Sequence, residues 1–182
     1  FGQIRSAISS IISQYVGANK LGKIEGLPAQ AMAIVVAGSL LVLVISYPFA
    51  KQIFQFYNAS GTVLDFCVTY FKISIFGFPF SLFVFAVFGT FRGLQNTYYP
   101  MIIAIIGAVL NVVLDLVFVY GVEGFIPAMN IEGAAYASLI AQVTMALIAL
   151  ILLLKKTSIS LKISLPFHEE IPNLLGMIGN LF

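Results

Sequence analysis

Charge is what this chain has least of: Asp, Glu, Lys and Arg make up only 9% of its 182 residues, against about 25% in a soluble domain. Such a deficit leaves too little polar surface to face water. With 60% hydrophobic residues and a mean hydropathy of +1.05, an integral membrane protein is the expected class. A net charge of +2, without interleaved aromatic and basic residues, excludes a nucleic-acid partner. The single Cys67 excludes an internal disulfide, and with no Cys or His at ligand spacing beside it, it reads as an apolar filler. The single His168 lies in a polar stretch with Glu169 and Glu170, where it reads as a solvated loop residue. The ten-residue alternation of a transmembrane barrel is also missing. Backbone polar groups in lipid must then be satisfied within each segment, so the spans are helices. No initiator Met and no signal-peptide pattern is present. A fragment of a larger polytopic protein is therefore expected.

What is present is a series of apolar runs of about 20 residues, the length that crosses a hydrocarbon core of about 30 Å. Complete spans are expected at about 27–50, 73–91, 101–120 and 133–154. The segments 1–17 and 171–182 look like pieces of two further spans. The predicted fold class is all-α, a polytopic transmembrane helix bundle. Orientation follows from the basic residues, since Lys20, Lys23, Arg92, Lys155, Lys156 and Lys162 cluster at one set of loops. The alternate loops are read as carrying only Lys51 and Lys72, beside Asp65, Glu123 and Glu132. By the positive-inside rule the first set is cytoplasmic. Arg92, Gln95, Asn96, Thr97 and Pro100 then form a cytoplasmic turn that fixes a helix–helix angle. Arg5, in the first segment, could snorkel or pair with an acid outside the chain.

The span entered at Met101 is interrupted by Asn111 and Asp115. A carboxylate there costs roughly 2.5 to 3.5 kcal/mol on insertion scales, so it normally faces protein or a water-filled cavity. At about 1.5 Å per residue it lies roughly 21 Å from the cytoplasmic end, in the outer half of the membrane. Helical periodicity puts Ala104, Gly107, Ala108, Asn111 and Asp115 on one stripe and Ile105, Val109, Val112 and Leu116 largely on the other side. The first stripe should face protein and the second lipid. Asn111 and Asp115 are one turn apart, so the amide can reach the carboxylate, or both can supply oxygens to a small cation. The plainer alternative makes them interhelical packing glue, but such bonds average only about 0.6 kcal/mol, too little to offset an ionised carboxylate in lipid.

Weaker candidates flank this pair. Gly133, Ala137 and Ala141 form a small-residue row for close helix packing, with Ser138 and Gln142 beside it one turn apart. Ser138 can return its hydroxyl to its own backbone, whereas burying Gln142 is more costly. In ISIFGFPFSLFVFAVFGTF, Phe76, Phe80, Phe83 and Phe91 cluster on one face, with Phe78 and Phe85 roughly opposite. Pro79 removes a backbone hydrogen bond and permits a mid-helix kink. Phe76, Phe80 and Phe83 are candidate walls of a substrate cavity, suited to flat or cationic lipophiles, although contact with lipid and neighbouring helices would also explain them.

RGLQNTYYPM leading into GAVLNVVLDLVFVYG, followed by MNIEGAAYASLIAQ, resembles the multidrug and toxic compound extrusion (MATE) family of secondary transporters. Upstream, SQYVGANKLGKI is similar to the end of that family's second helix. The motifs occur in order across nearly the whole chain. The resemblance implies one partial six-helix lobe of a twelve-helix transporter, from the end of the second helix to the start of the seventh. Residues 1–170 would be the N-terminal lobe, with an inter-lobe linker at about 155–170, and 171–182 would begin the next span. In the DinF-like branch, an Asn and an Asp one turn apart on the fifth helix help form a proton or sodium site, which the resemblance carries to Asn111 and Asp115. A hydroxyl on the sixth helix belongs to that site. Ser138 is the nearest match, where Thr is more typical. The partner Asp on the first helix lies outside this chain.

The expected function is a cation-coupled antiporter that exports drugs or other lipophilic or cationic small molecules. No cofactor or structural metal is implied. The coupling ion is a proton or sodium, with Asp115 and Asn111 as the possible sodium ligands. Expected partners are the lipid bilayer of the cell membrane, a small-molecule substrate and the second lobe of the same chain. The alternative is a lipid-linked precursor flippase of the same superfamily, but a pyrophosphate cavity should be strongly cationic and the basic residues here flank the spans. An intramembrane protease needs two deep carboxylates or a deep Ser–His pair, and one deep Asp meets neither need. A noncatalytic scaffold subunit would leave Asp115 without a purpose.

Overall fold

The computed structural model describes residues 2–18 and 26–157. They form seven α-helices: α1 Gly2–Gly17, α2 Leu27–Ser46, α3 Ala50–Phe56, α4 Gly61–Ser74, α5 Phe78–Gly93, α6 Tyr98–Tyr120 and α7 Asn130–Lys156. No strand forms among the described residues beyond one isolated bridge, Val122 to Ile126. Four helical stretches are long and apolar enough to cross a membrane. The all-α polytopic bundle therefore holds. Expected features at Lys20, Lys23, Lys162, His168 and 171–182, and most of the linker at 155–170, lie outside the described residues. The first two linker positions, Lys155 and Lys156, are the last turn of α7.

Two expected boundaries shift, each for a local reason. The span expected at 27–50 ends as a helix at Ser46, because Pro48 has no N–H to continue the ladder. The chain turns there and restarts as the short α3. The span expected at 73–91 begins at Gly61, and α4 and α5 together run 33 residues to Gly93. Lys72 and Asp65, expected in outer loops, lie within α4. Their charges end the apolar run without ending the helix. Asp65 is exposed, and the Lys72 ammonium sits over the Tyr47 ring at 5.5 Å from its centroid.

The irregularity expected at Pro79 takes the form of a 3-10 turn just before it. Ile75–Gly77 forms a single 3-10 turn between α4 and α5, and Pro79 sits in the first turn of α5. A proline is tolerated there because it needs no N–H, while its ring would crowd the carbonyl four residues earlier in a continuous helix.

α5 is the central post. Ile8, Ile11 and Ile12 of α1, Ala31 and Met32 of α2, and Ala146, Ala149 and Leu153 of α7 pack around Val84, Val87, Phe88 and Phe91. A Cβ at Gly89 would lie 2.8 Å from the Arg5 carbonyl oxygen, and one at Gly93 would lie 2.6 Å from Ile12 Cβ. These two glycines, one turn apart, let α1 cross α5 at backbone distance. The turn into α6 closes through Gln95, which has φ 59, and through the Tyr98 N–H donating to Asn96 Oδ1 at 3.1 Å.

α6 and α7 then pair as an antiparallel hairpin. Gly133 faces the Phe118 backbone, whose carbonyl oxygen would be 2.5 Å from an added Cβ, and Gly107 faces the Met145 side chain. Ile105, Val109, Val112 and Leu116 are exposed on the other face of α6. That is the exposed stripe expected from periodicity.

Candidate functional site

The polar stripe of α6 meets α5 and α7 near the middle of all three helices. Gly107 is buried against Met145 and brings the two helices close, which places Asn111 opposite Ser138. Asn111 Nδ2 donates to Ser138 Oγ at 3.4 Å, a long bond between residues 27 apart in sequence. Asn111, Ser138, Gly107 and Gln142 line one cavity of about 350 Å³ between α5, α6 and α7.

Asp115 lies one turn beyond Asn111, toward the Tyr120 end of α6. It does not line that cavity, although the shared stripe led to that expectation. Its side chain is half-buried, and its Oδ1 is buried with no hydrogen-bond partner among the described residues. The amide of Asn111, expected to reach Asp115, is directed across the helix pair to Ser138 instead. A carboxylate oxygen in that position lacks the donors that normally offset burial of a charge.

Gln142 lies at the middle of α7 and borders a second cavity as well, of about 430 Å³, lined also by Ser74, Ile75 and Phe78. Its Oε1 is likewise buried without a partner among the described residues. The candidate walls Phe76, Phe80 and Phe83 stand elsewhere. Phe76 and Phe80 are exposed on the outside of the bundle, and Phe83 is half-buried against the core. The aromatic walls are Phe85 and Phe88 in the first cavity and Phe71, Phe78 and Phe85 in the second. Phe80, Phe83, Phe85 and Phe88 all follow the 3-10 turn and share one helical phase, so periodicity separates their faces, but where α6 and α7 pack decides which face borders the cavity.

Sequence reasoning missed Ser81, Ser74 and Met145. Met145 was within reach, three residues after Gln142 on the same face of α7. Ser74 and Ser81 are hydroxyls on either side of the helix break, and nothing local separates them from the many serines that bond their own backbone. Among the described residues, no three His, Cys, Asp or Glu side chains gather as a metal site. Cys67 is a half-buried free thiol.

Comparison with known proteins follows the same architecture. The chain is 26% identical over 161 residues to the multidrug export protein MepA of Staphylococcus aureus, covering 87% of this chain and 35% of that protein. It is 26% identical over 152 residues to DNA damage-inducible protein F of Escherichia coli, covering 84% of this chain and 32% of that one. The chain thus spans about a third of the length of the curated relatives it matches. A crystal structure of MATE in the bent conformation superposes with a TM-score of 0.86 at 23% identity, over 97% of this chain and 39% of the other. The Vibrio cholerae MATE transporter VcmN, also in the bent form, gives 0.81 at 21% identity, over 97% and 39%. At such identities the likeness shows a shared fold. The MatE family model matches residues 3–117, more than half of the chain, and the chain belongs to that family, the multidrug and toxic compound extrusion family.

Proposed function

We propose that this chain forms most of one lobe of a cation-coupled antiporter in the cell membrane, exporting lipophilic or cationic small molecules. The observation that carries the reading is Asp115 Oδ1, buried and without a hydrogen-bond partner among the described residues, one turn from the Asn111–Ser138 bond. An ionised carboxylate so placed is unfavourable, and binding a proton or a sodium ion removes the uncompensated charge. Asp115 takes up the ion when the lobe opens to the outside and releases it after the helices rearrange. The coupling is the difference in ion affinity between the two arrangements. Asn111 and Ser138 tie α6 to α7 beside the ion and supply further oxygens. Exported molecules occupy the adjoining cavities, whose linings among the described residues are apolar and aromatic with a few neutral polar groups and no Lys or Arg. That lining supports lipophilic or cationic cargo over a pyrophosphate-bearing lipid. Relatives named as multidrug export proteins support the same class.

The test uses the intact two-lobe transporter in proteoliposomes under an imposed proton or sodium gradient. Asp115→Asn preserves size and polarity but cannot bind and release a proton, and it should abolish gradient-driven export while insertion is retained. Export at the unmodified rate would remove Asp115 from the coupling step.

A further inference from the structure

Two lysines, Lys51 and Lys72, stand at the end of the bundle remote from Arg92 and Lys155, where the distribution of basic residues gives them no role. Helix lengths locate them against the bilayer. The 20 residues of α2 measure about 30 Å, the thickness of the hydrocarbon core, so Tyr47 stands at its far edge. Counting about 30 Å back from Arg92 along the α4–α5 stretch reaches Lys72. The two counts are independent, and they meet: the Lys72 ammonium lies over the Tyr47 ring, 5.5 Å from its centroid. Exposed tyrosines on three further helices, Tyr70, Tyr120 and Tyr136, stand at about the same height, as an interfacial belt does. Lys51 lies one turn past Tyr47, across the bend at Pro48, and α3 is held to α4 by the Phe54 and Phe71 rings, whose centroids are 5.6 Å apart. Both lysines are thereby brought to one corner, where α2, α3 and α4 meet at the membrane edge.

The chemistry of that corner selects its occupant. No carboxylate among the described residues pairs with either ammonium. Asp65 is exposed about 10 Å further out along α4. Like charges gathered beside a low-dielectric slab repel one another, and an anion placed with them removes that cost. Phe49 is exposed at the same corner, and Leu41, Val44 and Ile45 continue from it into the membrane as an exposed aliphatic ridge of α2. Charge, then rings, then aliphatics is the order of phosphate, glycerol and acyl chain in a phospholipid. A soluble anion or an acidic protein would meet the lysines and leave the ridge unused. We propose that this corner binds an anionic phospholipid of the adjoining leaflet, its phosphate held by Lys51 and Lys72 and its acyl chains laid along α2. The site lies on the outside of the bundle, apart from the cavities beside Asn111 and Ser138, and stands or falls independently of the export reading.

The experiment places the intact transporter, freed of its other cysteines, in bilayers that mix phosphatidylglycerol with phosphatidylcholine, one of the two brominated on its acyl chains. A fluorophore on Val44→Cys reports which lipid touches the ridge below the corner, and one on Met101→Cys reports the opposite membrane edge. At Val44 phosphatidylglycerol should be favoured about fivefold with both lysines present. Lys51→Gln with Lys72→Gln should bring that preference below about twofold, whereas Lys51→Arg with Lys72→Arg should keep it. The reading at Met101 should not change with either pair. Raising salt from about 50 mM to about 500 mM should weaken the preference of the unsubstituted corner, a measurement that needs no lysine variant to fold. Equal quenching by the two lipids, a preference that survives loss of both lysines, or one indifferent to salt would each overturn the site. A Val44 label that neither lipid quenches overturns it as well, because protein then covers the ridge.

Discussion

α5 and α6 are consecutive helices joined by a tight turn, and both are built almost wholly of apolar residues, yet they use their surfaces in opposite ways. From Ala86 to Phe91 every residue of α5 is buried. Along the 23 residues of α6 only Pro100, Ile103 and Gly107 are. The polar groups divide the same way. Thr90 on α5 is satisfied by its own helix, while Asn111 on α6 reaches another helix and Asp115 Oδ1 has no partner among the described residues. Apolarity places a helix in the membrane but does not say what it touches. Small residues decide which helices approach, and polar groups that cannot satisfy themselves locally mark where a surface does something besides pack.

The sharpest way to break the comparison is to neutralise one polar residue on each helix. Asp115→Asn should abolish export with little change in thermal stability. Thr90→Val should cost about 1 kcal/mol of stability and leave export intact. If Thr90→Val stops export instead, α5 carries more than packing.

A second, all-or-none test concerns the ends of the hairpin. In a Cys67→Ala background, Glu123→Cys should be labelled from outside intact cells by an impermeant thiol reagent, and Lys156→Cys should not. The reverse pattern would invert the orientation and move Asp115 to the inner half of the membrane.

Packing gives the next effect. Gly93→Val forces α1 away from α5 and should destabilise the protein by about 1 to 3 kcal/mol in thermal unfolding, as overpacking typically does. Val112→Ala, on the exposed face of α6, should stay within about 0.5 kcal/mol. Equal losses would show that α6 is covered by protein along that face.

The smallest expected effect is the coupling between Asn111 and Ser138. Asn111→Ala, Ser138→Ala and the double substitution should give an interaction energy of about 0.6 kcal/mol, as membrane helix hydrogen bonds do. A null result would reduce the pair to proximity.

Where the sequence was legible, the signal was local. The apolar runs, the i, i+4 spacing of Asn111 and Asp115 and the exposed stripe from Ile105 to Leu116 follow from one helix and its period. Boundaries were less legible wherever a helix outlasts its apolar run: Asp65 and Lys72 hid the first half of a 33-residue stretch. Periodicity sorted the phenylalanines of α5 into faces but could not say which face α6 and α7 cover, so Phe85 and Phe88, rather than Phe80 and Phe83, border the cavity between them.

By itself, then, the sequence determined that this protein lives in lipid as helices and that Asn111 and Asp115 need an account there, because the cost of leaving polar groups in hydrocarbon depends on residue type alone. Tertiary structure decided which partners those groups meet. Asn111 finds Ser138 because Gly107 and Gly133 let α6 and α7 close on one another, and Gln142 fits beside Gly77 because that position has no side chain. Those distances depend on how several helices cross, and a crossing is set by the fit of two surfaces, which no single segment contains.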